Sequence, residues 1–524
     1  MNSTTRKKWL RRKRRIAKRL RPRKFAARAR PMLAARNIHY DLADRARAIG
    51  HGGIGSIHLL ARHVGLVEAI DRELELLKVH LPYHESDHVL NITYNVLCGG
   101  GCLQDIELLR TDEAHLDALG AGRIPDPTTA GDFCRRFESI EHVNALQEAI
   151  NSARLGVWKK QPPAFFRQAI IDVDGTIAPT QGQCKQGMDI SYDGQWGDRA
   201  GTKGTSLANT KEPLYLLNRP GNRPSHEDAA EYLERAFALC REAGFERVLA
   251  RGDTDFSQTA YLDAWDDRRN DRGEAYVQFL FGIDAMPNLK ALAESLPASA
   301  WKLLTRPSRY EVVTQERDKP QNIKEQVIAE RGFKHLRLRQ EHVAQIDYQP
   351  TRCRRPYRLI ITRKTIDVEI AQKKLWDEYR YFFHITNERH TPAGELVLSA
   401  NQRCDQENLI EQLKNGVNAM RLPTGDLLSN WAYMVMASLA WSLKAWWGLM
   451  LPEAQGRGHP REQRRQLKRD VVRMEFKRFA ASIVRLPCQI VRSGRRLIYR
   501  LLNYSPWQEP LLAAVAAWRT RTQC

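Results

Sequence analysis

The run Ala169-Ile170-Ile171-Asp172-Val173-Asp174-Gly175-Thr176-Ile177 is β-branched and apolar, yet it carries two carboxylates. Ile, Val and Thr favour extended backbone, so a strand is expected here, bounded by the glycine-rich stretch that follows. A carboxylate inside such a strand is costly unless it is paired or binds a cation. Because strand side chains alternate, Asp172 and Asp174 share a face and both stay open as the functional acid.

The neighbouring pattern sets the fold class. A second strand is expected at Pro213–Asn218, ended by Arg219-Pro220-Gly221, and Ser225-His226-Glu227-Asp228 reads as a capping box opening a helix to Ala243. Arg247–Arg251 reads as a short buried strand leading into Gly252-Asp253, with another helix from Ser257 and another strand over Tyr276–Ile283. Strands first, then strand and helix alternating, imply an α/β core over residues 165–284. Residues 285–396 contain strand-like runs at Tyr310–Gln315, Tyr357–Thr362 and Tyr379–Thr386 with no long helical pattern between them, so a β-rich insertion is expected. The core resumes over 397–451. Residues 55–155 read as a helical, DNA-binding domain, with Pro125-Asp126-Pro127-Thr128-Thr129 stopping one helix and capping the next.

Three acids stand out for chemistry. Asp253 follows a strand, where open α/β sheets place their sites, and Asp255 is its rival. A helix is expected over Asn401–Met420, in which Arg403, Glu407 and Lys414 lie along one face and Glu411 is the rival acid. No His cluster or Cys pair is evident as a transition-metal site, and Cys98-Gly99-Gly100-Gly101-Cys102 lacks the second ligand pair of a zinc motif. Three carboxylates without soft ligands favour magnesium or manganese. Two such ions, roughly 4 Å apart, activate a water or 3′-hydroxyl and stabilise the leaving oxygen of a phosphodiester.

Charge distribution names the partner. The 524-residue chain has a formal net charge of +22, but residues 1–30 hold 15 Lys or Arg and no acid, and residues 457–500 hold 14 against 3 acids. The body between is close to neutral. A globular machine with phosphate-gripping ends fits this layout. The arm over residues 1–36 cannot form a core of its own and is expected to be disordered; it has no apolar segment of a secretory signal. Residues 452–524 form a basic C-terminal region. Asn430–Leu451 is long enough to span a membrane, but Lys444, Asn430, Ser438 and Ser442 interrupt it, so a buried helix is expected and no membrane partner. Nine cysteines without regular spacing suit a reducing compartment.

Joined together, these residues resemble a DDE transposase of a bacterial insertion sequence, in the IS-four-related, IS-thirteen-eighty-like group. Ile171-Asp172-Val173-Asp174-Gly175-Thr176 resembles the family's first-strand motif, which selects Asp174, and Leu249-Ala250-Arg251-Gly252-Asp253-Thr254-Asp255-Phe256 resembles its second, which matches Asp253. Arg403, Glu407 and Lys414 match its Tyr-x2-Arg-x3-Glu-x6-Lys signature, with Ala400 where the tyrosine would stand. Pro82–His88, Asn218–His226 and Leu486–Arg492 are similar to segments of the same subgroup. The resemblance implies a ribonuclease H-like fold with Asp174, Asp253 and Glu407 as catalytic metal ligands for two magnesium (or manganese) ions, and Arg403 and Lys414 as contacts to DNA phosphates. It implies cleavage and strand transfer at the ends of a mobile element in double-stranded DNA, a homodimer in the synaptic complex, and a cytoplasmic, nucleoid-associated bacterial protein. The other readings are an inactive DNA-binding relic and a nuclease that cuts without joining.

Overall fold

The computed structural model describes residues 3–21, 39, 46–176, 178, 185–190, 196–198, 203–220, 223–224, 226–306, 327, 334–370, 373–452, 459–494 and 496–519. Its centre is a mixed sheet of β1 (Ala169–Asp174), β2 (Lys203–Leu207), β3 (Glu212–Leu217), β4 (Val248–Gly252), β5 (Val277–Ile283), β6 (Lys302–Leu303), β7 (Lys334–Tyr348), β8 (Tyr357–Ile370) and β9 (Lys373–Thr386). The order across the sheet is β3-β2-β1-β4-β5-β9-β8-β7-β6. β2 is antiparallel to both β1 and β3, whereas β1, β4 and β5 run parallel. Parallel strands covered on both faces need apolar residues on both, and Ile171, Val173, Val248, Ala250, Phe279 and Phe281 are buried accordingly.

The segment 285–396, expected to be a β-rich insertion, holds β6 to β9. Here β7, β8 and β9 form a meander that extends the central sheet, with β9 pairing to β5 from Phe383↔Ile283 to Thr386↔Leu280. The outer edge of β5 would otherwise present a row of unpaired backbone groups, which β9 satisfies. Alternate residues of β8 feed two small cores on opposite faces: Leu359 and Ile361 pack with Trp301 and Phe383, and Ile360 packs with Leu280 and Leu396. The expected strand at Tyr310–Gln315 lies outside the described residues.

Helices cover the sheet. α1 is Ser3–Leu20, α2 Glu85–Cys98, α3 Ile140–Trp158, α4 Ala229–Ala243, α5 Ala393–Asn401, α6 Cys404–Glu411, α7 Leu427–Leu449 and α8 His459–Arg473. Asp126 caps the short helix Pro127–Arg135 by accepting the Thr129 N–H at 2.8 Å, as the sequence leads one to expect. The helical region is not walled off as a separate unit: its buried residues run without a break into those of the sheet and of α7. Thr93 of α2 donates its hydroxyl to the Met436 carbonyl of α7 at 2.9 Å. α7 is buried along nearly its whole length, and Lys444 inside it donates to the Val472 carbonyl at 2.7 Å. Burial pushes that amine down to about 7. No described helix is long and apolar enough to cross a membrane.

Two local expectations give way to tertiary contacts. α4 is preceded by Asp228 at a φ of 60° without a side-chain cap, and Ser225 lies outside the described residues. The helix expected from Ser257 shrinks to Leu262–Asp266. Within the basic arm, residues 3–20 form α1, which docks on the C-terminal region. Trp9 donates its indole N–H to the Ser505 carbonyl at 3.4 Å and lies 5.5 Å from the Tyr504 ring, and Arg12 donates to the Leu501 carbonyl at 2.7 Å. Free carbonyls at the end of the hairpin Cys488–Ser493 and Arg496–Leu501 supply the partners the arm lacks by itself.

The joint between α3, β3 and α7 is ionic. Arg154, wholly buried, donates Nε to Glu212 at 3.1 Å, another N–H to the Pro213 carbonyl at 2.7 Å, and a third to the Ser442 hydroxyl at 3.3 Å. Glu212, also wholly buried, accepts the indole N–H of Trp158 at 3.2 Å and of Trp446 at 2.6 Å. Removing one partner leaves an uncompensated buried charge, so Glu212→Ala should cost about 3–5 kcal/mol in urea unfolding. The double replacement Arg154→Met with Glu212→Leu should recover most of it. A destabilisation below about 1 kcal/mol for Glu212→Ala would show that this joint does not hold the three elements together.

Candidate active site

β1 and β4 lie side by side and parallel, with Asp172 opposite Arg251. The residues that follow this pairing, Asp174 and Gly252-Asp253, therefore leave the sheet at the same end. Their close approach uses Gly252: a Cβ there would come within 2.9 Å of Val173 and of Phe256. Asp174 accepts the N–H of Gly175 at 2.8 Å, and Asp253 accepts that of Asp255 at 3.1 Å, so each carboxylate is oriented by the turn it begins.

The rival acid in β1 is occupied. Asp172 is buried and receives two hydrogen bonds from Arg251, Nε at 2.7 Å and Nη2 at 2.9 Å. The same guanidinium donates to the Ser399 carbonyl at the end of α5, also at 2.7 Å. That bond ties the helical segment of residues 393–411 to the sheet. Asp172 is thus paired with Arg251, whereas Asp174 has the Arg403 guanidinium for its neighbour.

The expected continuous helix over Asn401–Met420 is broken at Gln402-Arg403, and a five-residue π turn, Gln412–Gly416, replaces its second half. Arg403 sits at the corner between α5 and α6. Its Nη1 lies 3.2 Å from Oδ2 of Asp174 and 3.8 Å from Oδ2 of Asp253. Glu407 is one turn along α6, exposed, and its charge is among those raising the Asp174 pKa. Gln406 fixes the helix: it accepts from the Ser206 hydroxyl and donates Nε2 to the Gly204 carbonyl at 3.2 Å, both on β2. Sequence reasoning missed Gln406; its polar side chain beside the apolar Leu409 and Ile410 was the available signal.

Lys414 does not join the carboxylates. It is half-buried and donates Nζ to the Thr176 hydroxyl at 2.6 Å, just beyond Asp174. Glu411 is exposed and accepts from Asn415 at 2.7 Å, outside the cluster. Asp255 and Asp284 add negative charge around Asp253. His384 of β9 stays neutral, since burial and then the nearby Arg403 push its pKa down to about 4.

Burial pushes the Asp174 carboxyl up to about 6 against the pull of Arg403, with Asp253 and Glu407 adding to the rise. Asp253 is raised too, by burial first and then by Asp255 and Asp284, again against the pull of Arg403. The site holds more negative charge than one guanidinium offsets. Oxygen-only donors with excess negative charge fit a hard divalent cation such as magnesium or manganese. Among the described residues, the three acids do not converge within reach of a single ion, and Arg403 lies against two of them.

No curated protein matches the chain. Among solved structures, one similar to it is the piggyBac transposase synaptic complex with hairpin DNA, at 10% identity over 83% of this chain and 82% of that chain. Its TM-score of 0.35 is too low to carry any argument. The family described as Transposase DDE domain group 1 matches residues 36–522, a span that includes the sheet, both carboxylate strands and the helix after them. By that match the chain belongs to the DDE transposase family.

Proposed function

We propose that this chain is a transposase that binds the ends of its mobile element, cleaves them hydrolytically and joins the freed 3′-hydroxyl to target DNA. The observation that carries the reading is the shared guanidinium: carboxylates from the ends of two adjacent parallel strands meet one arginine from a later helix. The order β3-β2-β1-β4-β5, with only β2 reversed among the five, supports a ribonuclease H-like core. The motifs around Asp174, Asp253 and Glu407 support a bacterial insertion-sequence origin and double-stranded DNA as partner, and the need to act at two element ends supports a homodimer.

Asp174, Asp253 and Glu407 are the residues that would hold magnesium or manganese, two ions, which supply a polarised water or hydroxyl and a charge sink for the leaving oxygen. Arg403 holds the two aspartates in register without a cation and, with DNA bound, offers a forked donor to a phosphate. Lys414 positions Thr176 and with it the turn after Asp174, and its ammonium is a point charge for a nearby phosphate. The basic ends grip backbone phosphates.

Asp174→Asn, Asp253→Asn and Glu407→Gln should each lower strand cleavage by several orders of magnitude in a nicking assay with magnesium or manganese. Gel-shift binding to the same DNA should stay unchanged or tighten. Full cleavage by Asp253→Asn or Glu407→Gln would overturn the assignment, and sound end binding without cleavage by the unmutated chain would leave a DNA-binding relic instead.

The two β1 acids should separate by stability. With its pKa raised, Asp174 keeps a proton in the folded chain that the unfolded chain has released between pH 4 and about 6, so stability falls as pH rises through that window. In metal-free buffer at neutral pH, Asp174→Asn should therefore stabilise the fold by about 1–3 kcal/mol, a gain that vanishes near pH 4. Asp172→Asn should destabilise it by about 3–5 kcal/mol, because Arg251 stays buried without its carboxylate. The opposite pattern in thermal unfolding would exchange their roles.

Deleting residues 1–30 should flatten the plot of log K against log salt by about 0.9 for each phosphate that the arm neutralises. The preference for element ends over random DNA should persist. Collapse of that preference with an unchanged slope would make the arm a reader of bases.

A further inference from the structure

The glycine-rich segment that lacks a zinc motif of its own takes on ligands from elsewhere in the chain. Cys98, the last residue of α2, lies beside His51, which precedes the helix Ile54–His63, and His115 in the helix Glu113–Leu119. The Cys98 sulfur and one ring nitrogen of each histidine all lie within 4.8 Å of one another. His51 Nε2 and His115 Nδ1 are 2.8 Å apart, with ring centroids 4.9 Å apart and the planes tilted by 58°. His115 is buried, and His51 and Cys98 are half-buried.

We propose that His51, Cys98 and His115 form a site for a zinc-class divalent ion, separate from the carboxylates of the catalytic centre. Zinc bonds of about 2.0–2.1 Å to nitrogen and 2.3 Å to sulfur put tetrahedral ligand atoms roughly 3.4–3.6 Å apart, so the histidine pair opens by only about half an ångström to admit one. One thiolate and two imidazoles are a borderline-soft set that favours zinc over magnesium or manganese. The fourth position is left to water.

The surroundings suit a charged complex. A thiolate and two neutral imidazoles leave a bound divalent ion with one excess positive charge, and the Asp112 carboxylate exerts its field on both histidines. Asp112 is itself fixed as the cap of the His115 helix, accepting the N–H groups of Ala114 and His115 at 2.9 and 3.2 Å. Burial pushes the Cys98 thiol well up, so a bound cation has to displace its proton; Arg485, which lies directly over Gly99 where a Cβ would come within 2.0 Å of its Nη2, pulls the other way. An ion here clips together three stretches that are far apart in sequence. The first of them also pairs with the C-terminal hairpin through Ala48↔Gln489. The alternative occupant of this space is a bare histidine–histidine hydrogen bond with an inert thiol beside it.

Cobalt(II) distinguishes the two. Chelator-stripped full-length protein titrated with cobalt should develop intense tetrahedral ligand-field bands and a thiolate-to-cobalt charge-transfer band, saturating at one equivalent, and zinc should bleach both. Cys98→Ser should abolish the charge-transfer band, and His51→Asn should weaken binding at least about tenfold. Asp174→Asn should leave both bands intact, since oxygen ligands give no such band. Absence of the charge-transfer band in the unmutated protein would overturn the site, and so would its persistence in Cys98→Ser. Both variants can be checked for folding by circular dichroism, and Cys98→Ser changes only one atom. The outcome is independent of whether the chain cleaves DNA.

Discussion

Arg251 is the constraint on which the candidate active site depends. Its guanidinium, buried between β1 and β4, gives two hydrogen bonds to Asp172 and one to the Ser399 carbonyl. Three separate requirements meet in that one group. It neutralises an acid that an apolar strand could not otherwise carry, it locks the register of two parallel strands, and it draws in the helical segment that holds Arg403, Gln406 and Glu407. The spacing of the two strand-end carboxylates is therefore set one residue pair deeper in the sheet than the site itself. A charge that looks, in the sequence, like a rival ligand is held here by a buried arginine.

The same logic explains which parts are legible in the sequence. The strands around Ile171, Leu249 and Phe281 are readable because parallel strands buried on both faces must be apolar throughout. Strand alternation does not choose between Asp172 and Asp174, since both sit on one face; the motif resemblance points to Asp174, and the pairing of Asp172 with Arg251 is visible only in the fold. The break at Gln402-Arg403 is hidden too: the local sequence is helix-compatible, and the corner is imposed by Gln406 reaching β2 and Arg403 reaching the aspartates. β8 and β9 read as strands from their own residues, but their joining to β5 is a matter of an edge needing a partner. Likewise, His51, Cys98 and His115 carry no motif spacing; the fold alone brings them together.

Charge is distributed on two scales. Across the chain, the basic excess lies at the ends, while the body is near neutral. Within the body, acids cluster at the end of β1 and β4 and raise one another's proton affinity. A polyanion is attracted to the ends and repelled by this cluster unless a cation or Arg403 intervenes. Under the proposed function, the basic ends and the acidic centre would act on such a polyanion in opposite senses.

The sheet extension has a mechanical side. β9 is stitched to β5 only over Phe383–Thr386, yet it continues back to Lys373, and its pairing with β8 follows it for nearly the whole distance. At about 3.3 Å per residue, the ten residues beyond the seam span roughly 33 Å. Such a blade is stiff along its length, because three strands share its hydrogen bonds, and its root is braced by the small cores on both faces of β8 and by Tyr357 donating to Asp263 at 2.6 Å. A tilt of about 5° at the root carries the tip by about 3 Å over that span. His384, beside Arg403, lies within this root. The seam that carries this long lever arm thus lies next to the guanidinium that faces the two aspartates.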